Sequence, residues 1–316
     1  MPDVEYEVFS ELLPEVTPEQ IQGFDMVISR SRPRWTQQTL TGNEQLLSIL
    51  RSGVGYDMID VSALTSAGVM LCTTPGAVRR PMAVAIITLI LGLSTRLLTK
   101  DKLIRQGRWG EKSYYHGCGL VGKTLGSIGV GRIGHEMFLL AKSLDMKHIA
   151  YDPYVTEGAV ADVDVKLVDL DTVLAESDFL NISCPLNEDT RRLIGEKELH
   201  RMKKTAFLIN TARGGILDEA ALIKALQKGW IQGAGIDVFE QEPTPPDNPL
   251  LKMDNVIVTP HALGWTDEFF MSMWDEVLRQ ISQIIRGEAP ENLVNREVWD
   301  KPELQSKLEK SQKSLK

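Results

Sequence analysis

Cysteine is scarce in this sequence of 316 residues, which contains only Cys72, Cys118 and Cys184. The three are far apart, odd in number and in no Cys-x-x-Cys pair, so the sequence lacks the spacing of a disulfide framework or of a structural zinc site. We therefore expect reduced thiols, no bound metal and a cytoplasmic protein.

An excess of positive charge is also missing. Lys and Arg total 35 against 43 Asp and Glu, which gives a formal net charge of -8. Proteins that grip nucleic acids concentrate basic residues on one face to neutralise phosphates. An acidic chain without a basic stripe predicts that nucleic acid is not a partner.

Long hydrophobic runs are absent as well. The longest apolar stretch, Met82–Leu93, is shorter than the roughly 20 residues that a membrane span needs, which favours a buried helix. Residues 1–14 contain acidic side chains and lack the basic start and apolar core of a secretory signal. No membrane association is expected.

The sequence does contain a regular alternation of short apolar runs and helical segments, with 43% hydrophobic and 25% charged residues, as in ordinary globular proteins. Alternating strands and helices predict an α/β fold with parallel, doubly wound sheets. Predicted helices include Ile133–Asp145, Asp218–Lys228 and Asp267–Arg286. The predicted strands are Phe24–Ser29, Leu46–Ser52, Val69–Thr73, Thr124–Gly129, His148–Asp152, Asp178–Cys184, Ala206–Thr211, Gly233–Phe239 and Asn255–Pro260.

The strands fall into two series, before and after residue 100, which predicts two domains. A last segment, Glu291–Trp299, follows the final long helix, and we expect it to return to the first series. Residues 1–99 and 288–316 would then form one domain, into which residues 100–287 are inserted. The cleft between two such domains is the expected binding site.

Gly129, Gly131 and Gly134 form a Gly-x-Gly-x-x-Gly motif between a predicted strand and a predicted helix. Such glycines permit a tight turn and let the backbone approach a pyrophosphate, which then faces the helix N-terminus. Asp152 ends the next strand, where a carboxylate accepts hydrogen bonds from ribose hydroxyls and repels a 2′-phosphate. A purely structural turn is the alternative, but the strand, the spacing and the acid together favour a Rossmann domain that binds NAD rather than NADP.

Among five histidines, only His261 follows a clean apolar strand, Asn255–Thr259, which Pro260 ends. Ligands of open α/β sheets bind at the carboxyl ends of the strands. A lone histidine is more often structural or exposed, but this position favours a functional one.

Arg213 follows the strand Ala206–Thr211, and Glu240 and Glu242 follow Gly233–Phe239. Arginine binds a planar carboxylate through two hydrogen bonds, and a carboxylate beside an imidazole stabilises the protonated ring. Arginine, acid and histidine beside a nicotinamide are the groups needed to reduce a 2-keto acid. Spacing alone leaves open that Arg213 forms a surface ion pair and that the glutamates lie in a solvated turn.

Eight short strings are distributed along almost the whole chain. They are Gly53-Val54-Gly55-Tyr56-Asp57, Thr74-Pro75-Gly76, the glycine motif, Tyr151-Asp152-Pro153, Cys184-Pro185-Leu186, Asn210-Thr211-Ala212-Arg213-Gly214-Gly215, Asp237-Val238-Phe239 with Glu242-Pro243, and Thr259-Pro260-His261. In order and separation they resemble the D-isomer-specific 2-hydroxyacid dehydrogenases, which include glyoxylate/hydroxypyruvate reductases and phosphoglycerate dehydrogenases.

The resemblance implies a Rossmann NAD-binding domain inserted in a flavodoxin-like substrate domain. It implies NAD-dependent hydride transfer between a small 2-keto acid and its D-2-hydroxy acid. It also implies a homodimer built largely from the cofactor domains, to which the connector Trp109–Gly122 contributes.

The resemblance also implies roles for individual residues. Arg213 would bind the substrate carboxylate, His261 would exchange the proton with the carbonyl oxygen, and Glu242, rather than Glu240, would be the partner of His261. The backbone amides of Val54 and Gly55 would complete carboxylate binding. The implied cofactor contacts are Gly129, Gly131, Arg132, Ile133, Gly134, Asp152, Cys184, Pro185, Thr190, Thr211, Ala212, Asp237 (to the nicotinamide carboxamide) and Gly264.

One group of arginines departs from the family pattern, and a second lies where the family contacts the far end of its substrates. Arg79 and Arg80 stand before the long apolar helix, where the family has small residues, and Arg30, Arg32 and Arg34 follow the first predicted strand. Guanidinium groups near a cleft suit a second anionic group on the substrate, and Arg30 and Arg79 are the candidate residues. Solvated arginines, or arginines paired with acids, are the alternative.

A rival function uses the same fold. Some proteins of this architecture are corepressor-like dimers that sense NAD(H) without catalysing a reaction, and they retain the same three residues. The sequence shows no recognisable partner motif or long disordered tail, which favours the enzyme.

Overall fold

The computed structural model describes residues 4–9, 14–30 and 33–314, so Arg32 lies outside the described residues. The chain divides into two compact units, residues 1–78 with 267–316 and residues 79–266. The second unit is continuous in sequence and interrupts the first.

Short, mostly buried strands alternate with helices along the described chain. The strands are β1 (Met26–Ser29), β2 (Ser48–Arg51), β3 (Met70–Cys72), β4 (Thr124–Ile128), β5 (Lys147–Tyr151), β6 (Val165–Leu167), β7 (Phe179–Ile182), β8 (Phe207–Asn210), β9 (Gly233–Ile236) and β10 (Val256–Val258). The helices are α1 (Pro18–Ile21), α2 (Val61–Ser66), α3 (Pro75–Thr95), α4 (Leu97–Arg105), α5 (Arg132–Ala141), α6 (Leu170–Glu176), α7 (Glu196–Arg201), α8 (Glu219–Lys228), α9 (Asp267–Ile285) and α10 (Pro302–Ser314).

In the described part of the first unit, β1, β2 and β3 form a parallel sheet in chain order. Trp35, Ile49 and Leu71 belong to its buried core. The C-terminal segment is bonded to this sheet through Asn295, whose Nδ2 donates to the carbonyl oxygen of Val69 at 3.0 Å and whose Oδ1 accepts from the Leu71 amide at 2.8 Å.

The second unit contains a seven-stranded parallel sheet in the order β10-β9-β8-β7-β4-β5-β6. Successive connections run in one direction from β4 to β6 and in the other from β7 to β10, so the order reverses between β4 and β7. This is the doubly wound Rossmann arrangement, and the predicted α/β fold class is confirmed. In such sheets ligands bind at the carboxyl ends of the strands beside the reversal.

α3 contains the apolar stretch identified in the sequence. In the described residues it alone is long and apolar enough to cross a membrane, with a mean hydropathy of 1.6 in its best window, but 56% of that window is buried inside the protein. Ile86, Leu89 and Ile90 lie in the core of the second unit, where each buried side chain contributes roughly 1.5–3 kcal/mol. A core helix satisfies the same test of length and composition.

The division between the units falls earlier in the chain than the predicted crossings near residues 100 and 288. The first crossing lies inside α3, where the composition shows no break, and the second lies directly before the first residue of α9. α3 begins in the first unit, where the Glu276 carboxylate accepts hydrogen bonds from the amides of Gly76 and Ala77. α9 belongs with the first unit, and its Gln280 Nε2 donates to the carbonyl oxygen of Thr73 at 3.1 Å.

Candidate active site

The predicted cofactor and catalytic residues of the second unit lie in the segments that follow six strands of its sheet, with Asp152 after β5. The glycines follow β4, Cys184 follows β7, Arg213 follows β8, Asp237 and Glu242 follow β9, and His261 follows β10. Because all the strands are parallel, these segments share one edge of the sheet.

The glycine loop, residues 129–134, fits a dinucleotide pyrophosphate. Gly129 has φ +89°, and a Cβ there would lie 2.8 Å from the Cys184 amide nitrogen, so only glycine is accommodated. A Cβ on Gly131 would meet nothing within 4 Å, which leaves open space beside the first turn of α5. Free amides at a helix N-terminus and the helix dipole favour an anion in that space.

Asp152 fastens this loop. Its Oδ2 accepts a hydrogen bond from the Val130 amide at 2.9 Å, and its Oδ1 accepts from the Tyr154 amide at 3.0 Å. The carboxylate is half-buried at the end of β5, the position that the motif predicts for contact with the ribose hydroxyls. The bond to Val130 is a second role that the motif does not reveal.

Two further cofactor candidates lie in the segment after β7. Burial raises the pKa of the Cys184 thiol to about 11, so it is neutral at physiological pH and suited to lining a cleft rather than to nucleophilic attack. The hydroxyl of Thr190 donates to the carbonyl oxygen of Pro185 at 2.6 Å and accepts from the Asn187 amide at 2.8 Å, which closes this segment into a compact turn.

Arg213 is presented by a turn that Asn210 organises. The buried Asn210 side chain donates to the carbonyl oxygen of Arg213 at 2.9 Å and accepts from the amide of Ala212 at 3.0 Å. Arg213 Nη1 donates to the Ala212 carbonyl oxygen at 2.7 Å, which orients the guanidinium. Gly214 permits this turn, since a Cβ there would overlap the backbone of Phe239.

His261 pairs with Glu242. The ring Nδ1 lies 2.9 Å from Oε2 and 3.2 Å from Oε1 of this carboxylate, which also accepts the Phe239 amide at 3.1 Å. Glu240 is engaged elsewhere, with Arg192 Nη2 at 3.2 Å. Of the two glutamates considered in the sequence, the structure therefore places Glu242 against the imidazole.

Asp237 supports the loop that carries His261. It is 1% exposed, and its Oδ1 accepts from the Thr259 hydroxyl at 2.6 Å and from the amides of Ala262 and Leu263 at 3.1 and 3.3 Å. Burial raises the pKa of this carboxyl, although the hydrogen bonds oppose the shift. His261 adopts φ +55°, a left-handed conformation that costs about 1–2 kcal/mol for a residue with a side chain, and the three bonds to Asp237 hold the loop in it.

The remaining predicted cofactor residues flank these loops. Arg132 is the exposed first residue of α5, and Ile133 is half-buried behind it. Thr211 is buried at the end of β8. Gly264 packs against Met82 of α3, and a Cβ on this glycine would overlap the methionine sulfur.

The substrate candidates lie in different parts of the chain. Val54, Gly55 and Arg30 belong to the first unit, where Arg30 is exposed at the end of β1. Arg79 belongs to the second unit, and its Nε lies 3.4 Å from Glu136 Oε2, while Arg80 Nη1 lies 2.7 Å from Oε1. Arg79 and Arg80 are thus paired with an acid, which was the alternative interpretation of these arginines. The prediction that they precede the long helix was wrong, because α3 already begins at Pro75.

Comparison with known proteins identifies the chain's relatives. The family profile described as D-isomer specific 2-hydroxyacid dehydrogenase, NAD binding domain, matches residues 87–262. The chain belongs to this family. It is 39% identical over 289 residues to a glyoxylate reductase of Korarchaeum cryptofilum, a match covering 90% of this chain and 86% of that protein.

Two further relatives extend the comparison. The chain is 39% identical over 292 residues to a D-3-phosphoglycerate dehydrogenase of Methanocaldococcus jannaschii, a match covering 92% of this chain but 55% of that protein. The structure of the present chain resembles that of a D-lactate dehydrogenase from Aquifex aeolicus complexed with NAD and lactic acid. The TM-score is 0.85, the sequence identity is 26%, and 93% of each chain is covered. The chain is an NAD-dependent 2-hydroxyacid dehydrogenase, and its cofactor is NAD.

Three residues that hold the site in place were not predicted from the sequence. They are Asn210, Thr259 and Glu136. Asn210 and Thr259 stand inside the quoted strings, and a polar residue at the end of a buried strand is the signal that marks them. Glu136 carries no such signal, because its partners Arg79 and Arg80 are more than fifty positions away.

Proposed function

We propose that this dehydrogenase interconverts a small 2-keto acid and its D-2-hydroxy acid, with His261 as the group that exchanges the proton. The observation that carries the proposal is the His261–Glu242 pair, 2.9 Å apart, at the sheet edge that also carries the glycine loop and Arg213.

The pair suits proton transfer to a carbonyl oxygen. With Nδ1 held by Glu242, Nε2 is the ring atom left to exchange a proton with the substrate. The carboxylate stabilises the charged imidazolium and fixes its orientation. Bound NADH supplies the hydride for the carbonyl carbon.

Arg213 would hold the substrate carboxylate. Its guanidinium is oriented by the Ala212 carbonyl oxygen, and an arginine fork binds a planar carboxylate through two hydrogen bonds. The amides of Val54 and Gly55 would supply further donors from the first unit. A substrate fixed in this way presents its carbonyl to a single proton donor.

The test is initial-rate oxidation of NADH with glyoxylate, pyruvate, hydroxypyruvate, oxaloacetate, phosphohydroxypyruvate and sulfopyruvate, with NADPH as the cofactor control. We expect turnover with at least one acid, and we expect His261→Ala to lower kcat by about 10²–10⁴. Glu242→Gln should lower kcat by a smaller factor, because the ring keeps a hydrogen-bond partner without the charge. Tight NADH binding without turnover of any acid would contradict the proposal and favour the NAD(H)-sensing alternative.

A second anionic group on the substrate is a finer proposal, supported by the exposed position of Arg30 after β1. Arg30→Ala should raise KM for a dianionic keto acid such as phosphohydroxypyruvate far more than KM for glyoxylate. Arg79→Ala is the control variant, because the Arg79 guanidinium is already paired with Glu136. Equal effects of Arg30→Ala on both substrates would contradict this proposal.

A homodimer is also proposed. Large apolar side chains are exposed on α4 and on the connector that follows it, including Leu97 (58%), Trp109 (65%) and Val121 (79%), and a second copy of the chain would cover them. Sedimentation equilibrium should give twice the chain mass, and a monomer would contradict this. We also propose a cytoplasmic location, since all three cysteines are free thiols.

A further inference from the structure

Arg79-Arg80-Pro81-Met82 lie in α3, at the point where the chain passes into the second unit. Arg80 and Arg79 occupy both carboxylate oxygens of Glu136, at 2.7 and 3.4 Å. The Glu136 side chain is only 8% exposed, whereas the two guanidinium groups are about half exposed. A buried carboxylate with two guanidinium partners holds its helix strongly, because removing the partners would leave a buried charge uncompensated.

Glu136 lies on α5, two positions after the last glycine of the motif. The first turn of α5 carries the amides that face a bound pyrophosphate, and an α-helix is a stiff element. A contact that fixes α5 therefore also fixes the glycine loop at its N-terminus.

The same segment contacts the loop that carries His261. Met82 packs directly against Gly264, where a Cβ would overlap the methionine sulfur. Gly264 is three residues after His261 and adjoins Leu263, whose amide is bonded to Asp237. Residues 79–82 thus contact the helix of the glycine loop on one side and the loop of His261 on the other.

These two loops are not neighbours in the sheet. β4 and β10 are separated by β7, β8 and β9, which places them roughly 19 Å apart at the usual spacing of strands. Hydride and proton must nevertheless reach adjacent atoms of one carbonyl group, and a misplacement of about 1 Å can cost 10²-fold in rate. An element that contacts both loops controls their separation.

We infer that residues 79–82 of α3, through the Arg80–Glu136 pair and the Met82–Gly264 contact, set the position of the glycine loop relative to His261. Arg80 and Glu136 are positioning residues for the reaction, not ligands of substrate or cofactor. The inference rests on the proposed function for its rate measurements, and it has a second readout that requires no turnover.

The experiment compares Arg80→Met and Glu136→Gln with wild type, with Arg80→Lys as the conservative variant. Lys142→Met is the matched control, since Lys142 directly follows α5 and forms a surface pair with Asp164 at 3.1 Å. Four quantities are measured: kcat with the best keto acid, Kd for NADH, the emission maximum of bound NADH, which reports the surroundings of the nicotinamide, and Tm.

We expect Arg80→Met and Glu136→Gln to lower kcat by about tenfold, while Kd for NADH stays within about threefold because the pyrophosphate and ribose contacts remain. The emission maximum of bound NADH should shift in both variants. Arg80→Lys should recover most of kcat, and Lys142→Met should match wild type. Gly264→Ala, which pushes Met82 from the other side, should reproduce the loss of kcat if the charge variants do not fold.

An unchanged kcat and emission maximum with a lowered Tm would overturn the inference and leave the pair a purely structural role. A raised Kd with kcat unchanged would overturn it in favour of a role in cofactor affinity. If the wild type turns over no keto acid, the proposed function fails, and the inference is then tested by the emission maximum of bound NADH alone. A shift of that maximum in Arg80→Met and Glu136→Gln supports the inference, and an unchanged maximum overturns it.

Discussion

Two loops at the same edge of the sheet, the glycine loop and the loop that carries His261, are each held by hydrogen bonds to an aspartate, but the two aspartates differ in burial. The glycine loop follows β4, and the histidine loop, residues 259–264, follows β10. Each is held by an aspartate at the end of the adjacent strand, Asp152 after β5 and Asp237 after β9.

The difference lies in burial. Asp152 is half-buried, bonds one amide of the glycine loop and leaves open space at Gly131. Asp237 is 1% exposed and makes three hydrogen bonds to the histidine loop through a single oxygen. The loop with open space at Gly131 is held by a half-buried aspartate at its margin, whereas the loop that keeps His261 in a left-handed conformation is held by an aspartate in the core.

The largest effect is expected at the buried aspartate. Asp237→Ala removes all three bonds to the histidine loop, so His261 loses the support of its left-handed conformation, and we expect kcat to fall about 10²-fold. Kd for NADH should change much less, because the glycine loop is untouched. Steady-state kinetics and a fluorescence titration measure the two quantities.

Asp254→Ala is the control for this variant. Asp254 is an exposed aspartate before β10, at the opposite edge of the sheet, and it pairs with Lys102 at 2.8 Å. Its replacement should leave kcat unchanged. A similar loss of kcat in both variants would mean that Asp237 acts through general stability rather than through the histidine loop.

At Asp152 the effect should fall on affinity. Asp152→Ala removes both the charge and the acceptor for the Val130 amide, so we expect Kd for NADH to rise about tenfold, since one charge-assisted hydrogen bond contributes about 1.5 kcal/mol or more. Asp152→Asn keeps an acceptor oxygen and should raise Kd by less, while binding of NADPH improves as the repulsion of its 2′-phosphate is lost. Equal values of Kd for the two variants would show that the bond to Val130 does not matter.

Substitutions of Gly129 and Gly131 should affect different properties, the first lowering stability and the second weakening NADH binding. Gly129→Ala forces a side chain into φ +89° and against the backbone of Cys184, so Tm should fall by several degrees. Gly131→Ala meets no atom within 4 Å, so Tm should hold while the added methyl group weakens NADH binding. A loss of Tm in Gly131→Ala, measured by differential scanning calorimetry, would be inconsistent with the open space.

The smallest effect concerns pH. Because burial raises the pKa of Asp237, the folded protein binds this proton more tightly than the unfolded chain does. Stability from this group is therefore present below the ordinary aspartate pKa of about 3.9 and is lost as pH rises to the raised value, with a slope of at most about 1.4 kcal/mol per pH unit. Asp237→Asn lacks this loss, so its unfolding free energy should improve relative to wild type as pH rises through that interval. Urea unfolding at a series of pH values tests this, and a difference that is constant with pH would contradict it.

The parts of the site that depend on the local order of residues could be predicted from the sequence. Glycines between a strand and a helix, and a histidine after a clean strand, are visible as strings, because parallel strands bring their carboxyl ends to one edge. The contacts that depend on distant packing were not visible. Glu136 meets Arg80 across 56 positions, and nothing near either residue predicts the other.

The domain boundaries show the same limit. A boundary is visible in sequence when a linker rich in glycine or proline separates two patterns. Here α3 continues across the first boundary without a break, and only contacts such as that of Gln280 with Thr73 reveal which unit α9 joins.

The interrupted first unit has a consequence for the newly made chain. Residues 79–266 are contiguous and can fold as soon as they leave the ribosome, but β1 to β3 must wait for Asn295 and α9. At about 5–20 residues per second, that interval is roughly 10–40 seconds. During it Leu71 and its apolar neighbours lack the segment that completes their surroundings, so β1 to β3 are synthesised before the second unit but complete their packing after it.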